Sequence, residues 1–173
     1  MSNRDIPRLS EWEGGPDRKG FTLHYDLTAQ GIMTPVGISC PYGPGLDDSS
    51  SARTGAVFDG VWDTGATCSV VSSRIVDELM LVPIDRSFVE TASGAYDASV
   101  YLVAVYLPGG IAIPAMRVLD SPSIGGADVL IGMDIIGRGD FAVTSLAGRT
   151  CVSFEAPSTR RIDFAADRSA ADR

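Results

Sequence analysis

Apolar and polar positions alternate along most of the chain in short runs, and the runs are separated by turn-forming residues, which is the signature of strands joined by tight turns. Residues 21–27 and 31–39 read as a strand pair around Ala29-Gln30-Gly31, and residues 40–55, rich in Pro, Gly, Ser and Asp, as a long loop. Residues 56–62 form a strand running into Asp63, and residues 68–71 form the strand that leaves it. Residues 72–81 carry apolar side chains at helical spacing, with Ser72 as an N-cap and Pro83 as a stop, so they predict a helix. Residues 88–95 and 98–107 predict a hairpin with Ser93-Gly94 near its tip. Further strands are expected at 111–119 and 128–131, with a loop at 121–126 between them and a short helix after 132. A closing hairpin is expected at 141–145 and 150–154 around Ala147-Gly148. The uncharged stretch 98–116 is broken by Pro108-Gly109-Gly110 and Pro114, so it reads as two strands and not as a membrane span.

Composition narrows this picture. A chain of 173 residues with 45% hydrophobic and 21% charged residues is expected to form one domain with a substantial core. Nineteen glycines and ten prolines, scattered along the chain, suit a mostly β protein with many turns. The expected organisation is a mobile leader at 1–20, a folded domain at 21–155 and a loose tail at 156–173. A net charge of −8 argues against a nucleic-acid partner, which would call for a basic face. The first nineteen residues hold no apolar run of signal-peptide length, and three cysteines do not make a disulfide framework, so the expected location is cytoplasmic.

Candidate chemistry gathers at Asp63-Thr64-Gly65-Ala66. A carboxylate between two apolar strands is costly unless it is hydrogen-bonded or paired. Gly65 permits a tight turn there, and the Thr64 hydroxyl can both donate and accept a hydrogen bond. Taken alone, Asp63 reads better as a capping aspartate in an Asp-Thr-Gly turn, a common feature of β proteins. His24, the one histidine, reads as a half-buried strand residue that cannot build a metal site by itself. Cys68 as a nucleophile would need His24 as its base, with no third group to orient it; it reads better as a small buried apolar side chain. Asp128 reads as a residue opening a strand, and Asp134 as a helix-start residue favoured by the helix dipole.

A second element, Ala127-Asp128-Val129-Leu130-Ile131-Gly132-Met133-Asp134, runs an apolar strand into a glycine and a short helix. Together with Asp63-Thr64-Gly65-Ala66 it resembles the retroviral-type (retropepsin-like) aspartic proteases over residues 21–154. The resemblance implies a closed, mostly antiparallel β-barrel with one helix and a short second one. It also implies Asp63 as the catalytic residue, a loop of Thr64, Gly65 and Ala66, and support from Leu130, Ile131 and Gly132. Substrate would lie between the floor at Asp63 and a flap whose tip is Thr91, Ala92, Ser93 and Gly94, with Thr67 also among the substrate-binding residues; read without the resemblance, that tip is a plain surface turn. Peptide hydrolysis by carboxylates needs two of them sharing one proton. This chain has one Asp-Thr-Gly, so the resemblance implies a two-fold homodimer acting on an extended peptide or protein substrate, with no metal or organic cofactor and no membrane partner. Thr64 would then hydrogen-bond across the axis, and Gly65 would offer its carbonyl to the substrate. The viral proteins carry an Asp–Arg pair where this chain has Thr67 and Met133, so that network is missing here. The alternatives are a non-catalytic dimeric module of the same fold that binds peptides or proteins, and a plain structural domain.

Overall fold

A computed structural model describes residues 18–46, 55–91 and 94–165. Ala92 and Ser93 of the expected flap tip lie outside the described residues, as do most of the expected leader and the end of the expected tail. The described strands are β1 (Lys19–His24), β2 (Met33–Ser39), β3 (Gly55–Trp62), β4 (Val70–Ser72), β5 (Asp85–Thr91), β6 (Gly94–Leu107), β7 (Ile111–Ser121), β8 (Val129–Ile131), β9 (Asp140–Leu146) and β10 (Arg149–Ala156). Two small helices, α1 (Ser73–Glu78) and α2 (Met133–Ile136), complete the mostly β architecture, with a 3-10 turn at Pro108–Gly110 between β6 and β7.

The large sheet runs β2-β3-β8-β4-β7-β6-β5, and β2 also pairs with β6. Those six strands therefore close into a barrel, with β5 hung on β6 outside the ring. The barrel is mixed, because β3 lies parallel to β8 and β4 parallel to β7 while its other pairings are antiparallel. Alternation along the strands fills its interior with Val36, Ile38, Val71, Val103, Val105, Val118 and Ile131, all essentially inaccessible, and α1 and α2 add Ile75 and Ile135. Each such side chain contributes about 1.5–3 kcal/mol on burial.

Outside the barrel, β1, β10 and β9 form a three-stranded antiparallel sheet. Four aromatic rings join the two sheets. Trp62, at the end of β3, stacks on Phe141 with centroids 5.2 Å apart and meets Phe154 edge-on at 5.0 Å, while Phe21 packs against both Trp62 and Phe154. The buried Trp62 indole N–H donates to Thr34 Oγ1 at 3.0 Å, so no polar atom of the ring is left unmet. The residue directly before Asp63 is thus held on every side.

Three local expectations are corrected. Residues 21–27 and 31–39 do not pair with each other: β1 runs against β10 from Lys19↔Ala156 to His24↔Cys151. Both edges of β2 are taken, by β3 and β6, so the barrel offers β1 no place. The helix expected at 72–81 ends at Glu78, with Met80 in the left-handed region at φ 50°, three residues before Pro83. Ser72 holds the N-cap position, but its side chain does not cap the helix and bonds instead to Asp128 Oδ1 at 3.4 Å.

Candidate active site

The turn after β3 is built by hydrogen bonds from three directions. The Asp63 backbone N–H donates to the Ile131 carbonyl at 2.9 Å, continuing the parallel β3–β8 pairing past Trp62↔Ile131. The side chain then turns back on its own loop, Oδ1 accepting the Gly65 N–H at 2.8 Å. The Ala66 N–H reaches the Asp63 carbonyl at 3.3 Å and closes the turn. One carboxylate oxygen is thereby committed to shape. Among the described residues no Lys, Arg or His forms an ion pair with Asp63, which is half-buried.

The second element braces this turn from below. The Met133 N–H donates to the Ala66 carbonyl at 2.8 Å. Ser69, buried at 1% exposure, donates its hydroxyl to Asp134 Oδ1 at 2.7 Å and its backbone N–H to Oδ2 at 2.8 Å. Its hydroxyl oxygen accepts the Gly132 N–H at 3.0 Å. Gly132 is required by space: a Cβ there would lie 2.7 Å from both the carbonyl carbon and oxygen of Cys68, which are backbone and cannot move aside. Asp134 does stand in the first turn of α2, as expected, but its carboxylate is spent on Ser69. Where the viral pattern has an Asp–Arg pair, this chain has a serine–aspartate pair two residues further along one segment and one residue further along the other.

Above the turn lies a cavity of about 610 Å³. Its floor is Asp63, Gly65, Ala66, Thr67 and Leu130, and one wall comes from β5 and β6 through residues such as Val89 and Tyr96. Leu119 and Ser121 of β7, with Ser123 and Ile124 of the segment that follows, also line it. Of the residues singled out from sequence, the cavity brings together Asp63, Gly65, Ala66, Thr67 and Leu130. Thr64 sits exposed at the apex of the turn, while Ile131 and Gly132 are buried beneath it. Thr91 and Gly94 pair with each other at the far end of the hairpin.

Sequence reasoning missed several neighbours. Tyr96, Leu119 and Ile124 line the cavity but carry no motif, and only the hairpin's alternation could have pointed to Tyr96. Cys68 is exposed and lines the cavity, contrary to the buried reading, because β4 begins only at Val70 and Ser69 takes the inward position. His24 is likewise exposed, on β1 opposite Cys151. Asp128 leads into β8, and its carboxylate pairs with Arg74 at 3.0 Å, away from Asp63. Among the described residues no group of three or more His, Cys, Asp or Glu side chains gathers as a metal site, and no helix is long and apolar enough to cross a membrane.

No family model and no curated protein sequence matches the chain. Its structure is similar to that of a retropepsin-like aspartic protease from Rickettsia conorii, at 9% identity and a TM-score of 0.47, over 83% of this chain and 99% of that one. It is also similar to the simian foamy virus (mac) protease, at 19% identity and a TM-score of 0.40, over 61% of this chain and 92% of that one. The EIAV protease, solved with the inhibitor HBY-793, gives 17% identity and a TM-score of 0.41 over 53% of this chain and 92% of that one. At these identities the likeness is one of fold.

Proposed function

We propose that the chain is an aspartic endopeptidase, active as a homodimer in which each copy supplies one Asp63. The observation that carries the reading is the placement of Asp63: a half-buried carboxylate without a cation partner among the described residues, on a braced turn at the floor of a cleft walled by a hairpin. A carboxylate held in that way can take a proton from a water molecule, and the hairpin wall beside it offers strand backbone of the kind that extended peptides pair with.

The chemistry needs a second carboxylate close by, one of the two carrying the proton. Glu90, the other acidic residue of the lining, sits at an exposed position of β5, alternating with the half-buried Val89, so it is not a floor residue. The exposed apex at Thr64 and Gly65 supports the dimer reading: a two-fold axis passing there would bring the two Asp63 side chains together. One carboxylate then accepts a proton from water while the other donates to the scissile carbonyl oxygen, and the roles reverse as the amine leaves. The Gly65 carbonyl and the hairpin backbone would hold the peptide in extended form, with the segment 91–94 as the flap.

Incubation with a denatured protein mixture, with and without a pepstatin-type inhibitor, tests the reading. The parent is expected to cleave, and Asp63→Asn to lose activity by far more than tenfold while keeping its fold, since an amide cannot exchange the required proton. Residual activity within about tenfold of the parent, no more than about 1.4 kcal/mol of barrier, removes Asp63 from the mechanism. Binding of peptides without cleavage selects a non-catalytic peptide-binding module.

A further inference from the structure

The β6–β7 ladder stops at Val100↔Leu119, whereas β6 stays paired with β5 out to Thr91↔Gly94. Past Val100 the hairpin has left the barrel wall. At that point Ser99 would be the next residue to pair with β7, but its backbone N–H donates instead to the carboxylate of Asp120, at 2.8 Å to Oδ1. The other oxygen, Oδ2, accepts the hydroxyl of Tyr101 at 3.3 Å. The Asp120 backbone carbonyl accepts the Tyr96 hydroxyl at 3.4 Å. Three groups of β6, on both sides of the point where it departs, thus converge on one residue of β7.

Asp120 is also connected to the floor. It is the register partner of Val71 on β4, the strand that leaves the Asp63 turn. Tyr96 itself lines the cavity. Burial, against an opposing hydrogen bond with the Ser99 side chain and with the charge of Asp120 adding to it, pushes the Tyr101 phenol above its ordinary range. A ladder of backbone bonds fixes a strand in one register, whereas a carboxylate can follow a donor through a range of angles and keep the bond.

We propose that Asp120 is the hinge pin of the β5–β6 hairpin, a positioning residue that sets where the hairpin stands over the cavity while letting it swing. Its part in catalysis rests on the protease reading; its part as a hinge does not. Asp120→Ala removes both side-chain acceptors. Asp120→Asn is the rescue, because its amide oxygen still accepts the Ser99 N–H and its NH2 can donate to the Tyr101 oxygen. Tyr101→Phe removes the hydroxyl contact to Oδ2 and keeps the bond from the Ser99 N–H.

Hydrogen exchange on the substrate-free protein decides the hinge. In Asp120→Ala the amides of Ser99 and of the β5–β6 hairpin should exchange about tenfold faster or more, the loss expected for a hydrogen bond to a charged acceptor. The barrel amides of β2 and β3 should keep their rates, Tyr101→Phe should fall between, and Asp120→Asn should stay near the parent. Unchanged hairpin exchange in Asp120→Ala overturns the proposal, as does equal acceleration throughout the barrel, which would make Asp120 a general stability residue. On a peptide that the parent cleaves, Asp120→Ala should raise KM more than it lowers kcat; a loosened hairpin with both constants unchanged overturns the positioning role. If the parent cleaves nothing, the protease reading fails and the exchange result still decides the hinge.

Discussion

Ser69 is a small residue with three obligations: it gives two hydrogen bonds to Asp134 and takes one from Gly132, in a position that water does not reach. Ser69→Ala leaves the Gly132 N–H without an acceptor, so it is expected to destabilise by about 1–3 kcal/mol. For a chain of this size that lowers Tm by about 2–4 °C per kcal/mol, readable by calorimetry. An unchanged melting temperature would mean that the brace between the two motifs is dispensable. The same brace marks the boundary of what could be read from residues alone. Asp63 and Gly132 announced themselves because each sits in a motif whose chemistry needs that residue type. Asp134 was visible only as a helix-start residue, because its partner lies 65 positions earlier and nothing local in the sequence points there. Cys68 was misplaced for a related reason: an apolar run shows that a strand is near, but the face a residue takes depends on where pairing begins.

At the scale of elements, the hairpin and the tail make separate predictions. Gly94 has φ +135°, where a β-branched residue is strained, although a Cβ there would meet nothing within 4 Å. Gly94→Val should therefore act through backbone freedom and not through a clash, and should lower peptide cleavage far more than Tm. Normal cleavage by this variant would transfer the lid role to the 121–126 loop. The segment after β10 is held by Asp140, which accepts the Ser158 hydroxyl at 2.5 Å and the Thr159 and Arg160 N–H groups at 2.9 and 3.3 Å. Those bonds, the Ser158 hydroxyl first, hold the Asp140 carboxyl below its usual range. A depressed folded-state value means that the contribution is complete above the ordinary carboxylate range, near 3.9, and is lost as pH falls through the lower folded value. Thr159 and Arg160 amides should be protected from exchange near neutral pH and released in strong acid, whereas Asp140→Ala should release them at both. Equal protection in that variant would assign the tail to other contacts. Element positions were largely legible, since alternation fixes strands, and so were the hairpin partners β5–β6 and β9–β10, which a short turn joins; distant partners were not, since β1 joins β10 and not its neighbour in sequence.

For the whole molecule, the proposed completion of the site by a second copy predicts an activity that depends on concentration. Specific activity should fall on dilution through the dimer dissociation constant, and a peptide inhibitor touching both copies should hold the pair together by mass action. A tethered pair with Asp63 in one half and Asn in the other should be nearly inactive; half the parent activity would show that each chain holds a complete site. The parallel pairing of β3 with β8 has a consequence in time as well. Strand β3 ends at Trp62, but the Ile131 carbonyl that receives the Asp63 N–H and the Gly132-Asp134 brace are made much later. At a synthesis rate of about 5–20 residues per second, the chain grows for several seconds with Asp63 on an unsupported loop. Closing such distant contacts is slow, since the entropy of the intervening chain must be lost before they form. A growing chain therefore carries Asp63 without the bonds that brace its turn until most of the barrel exists. Chains stopped before Ile131 should show no protected amide at Asp63, however long they are left to fold.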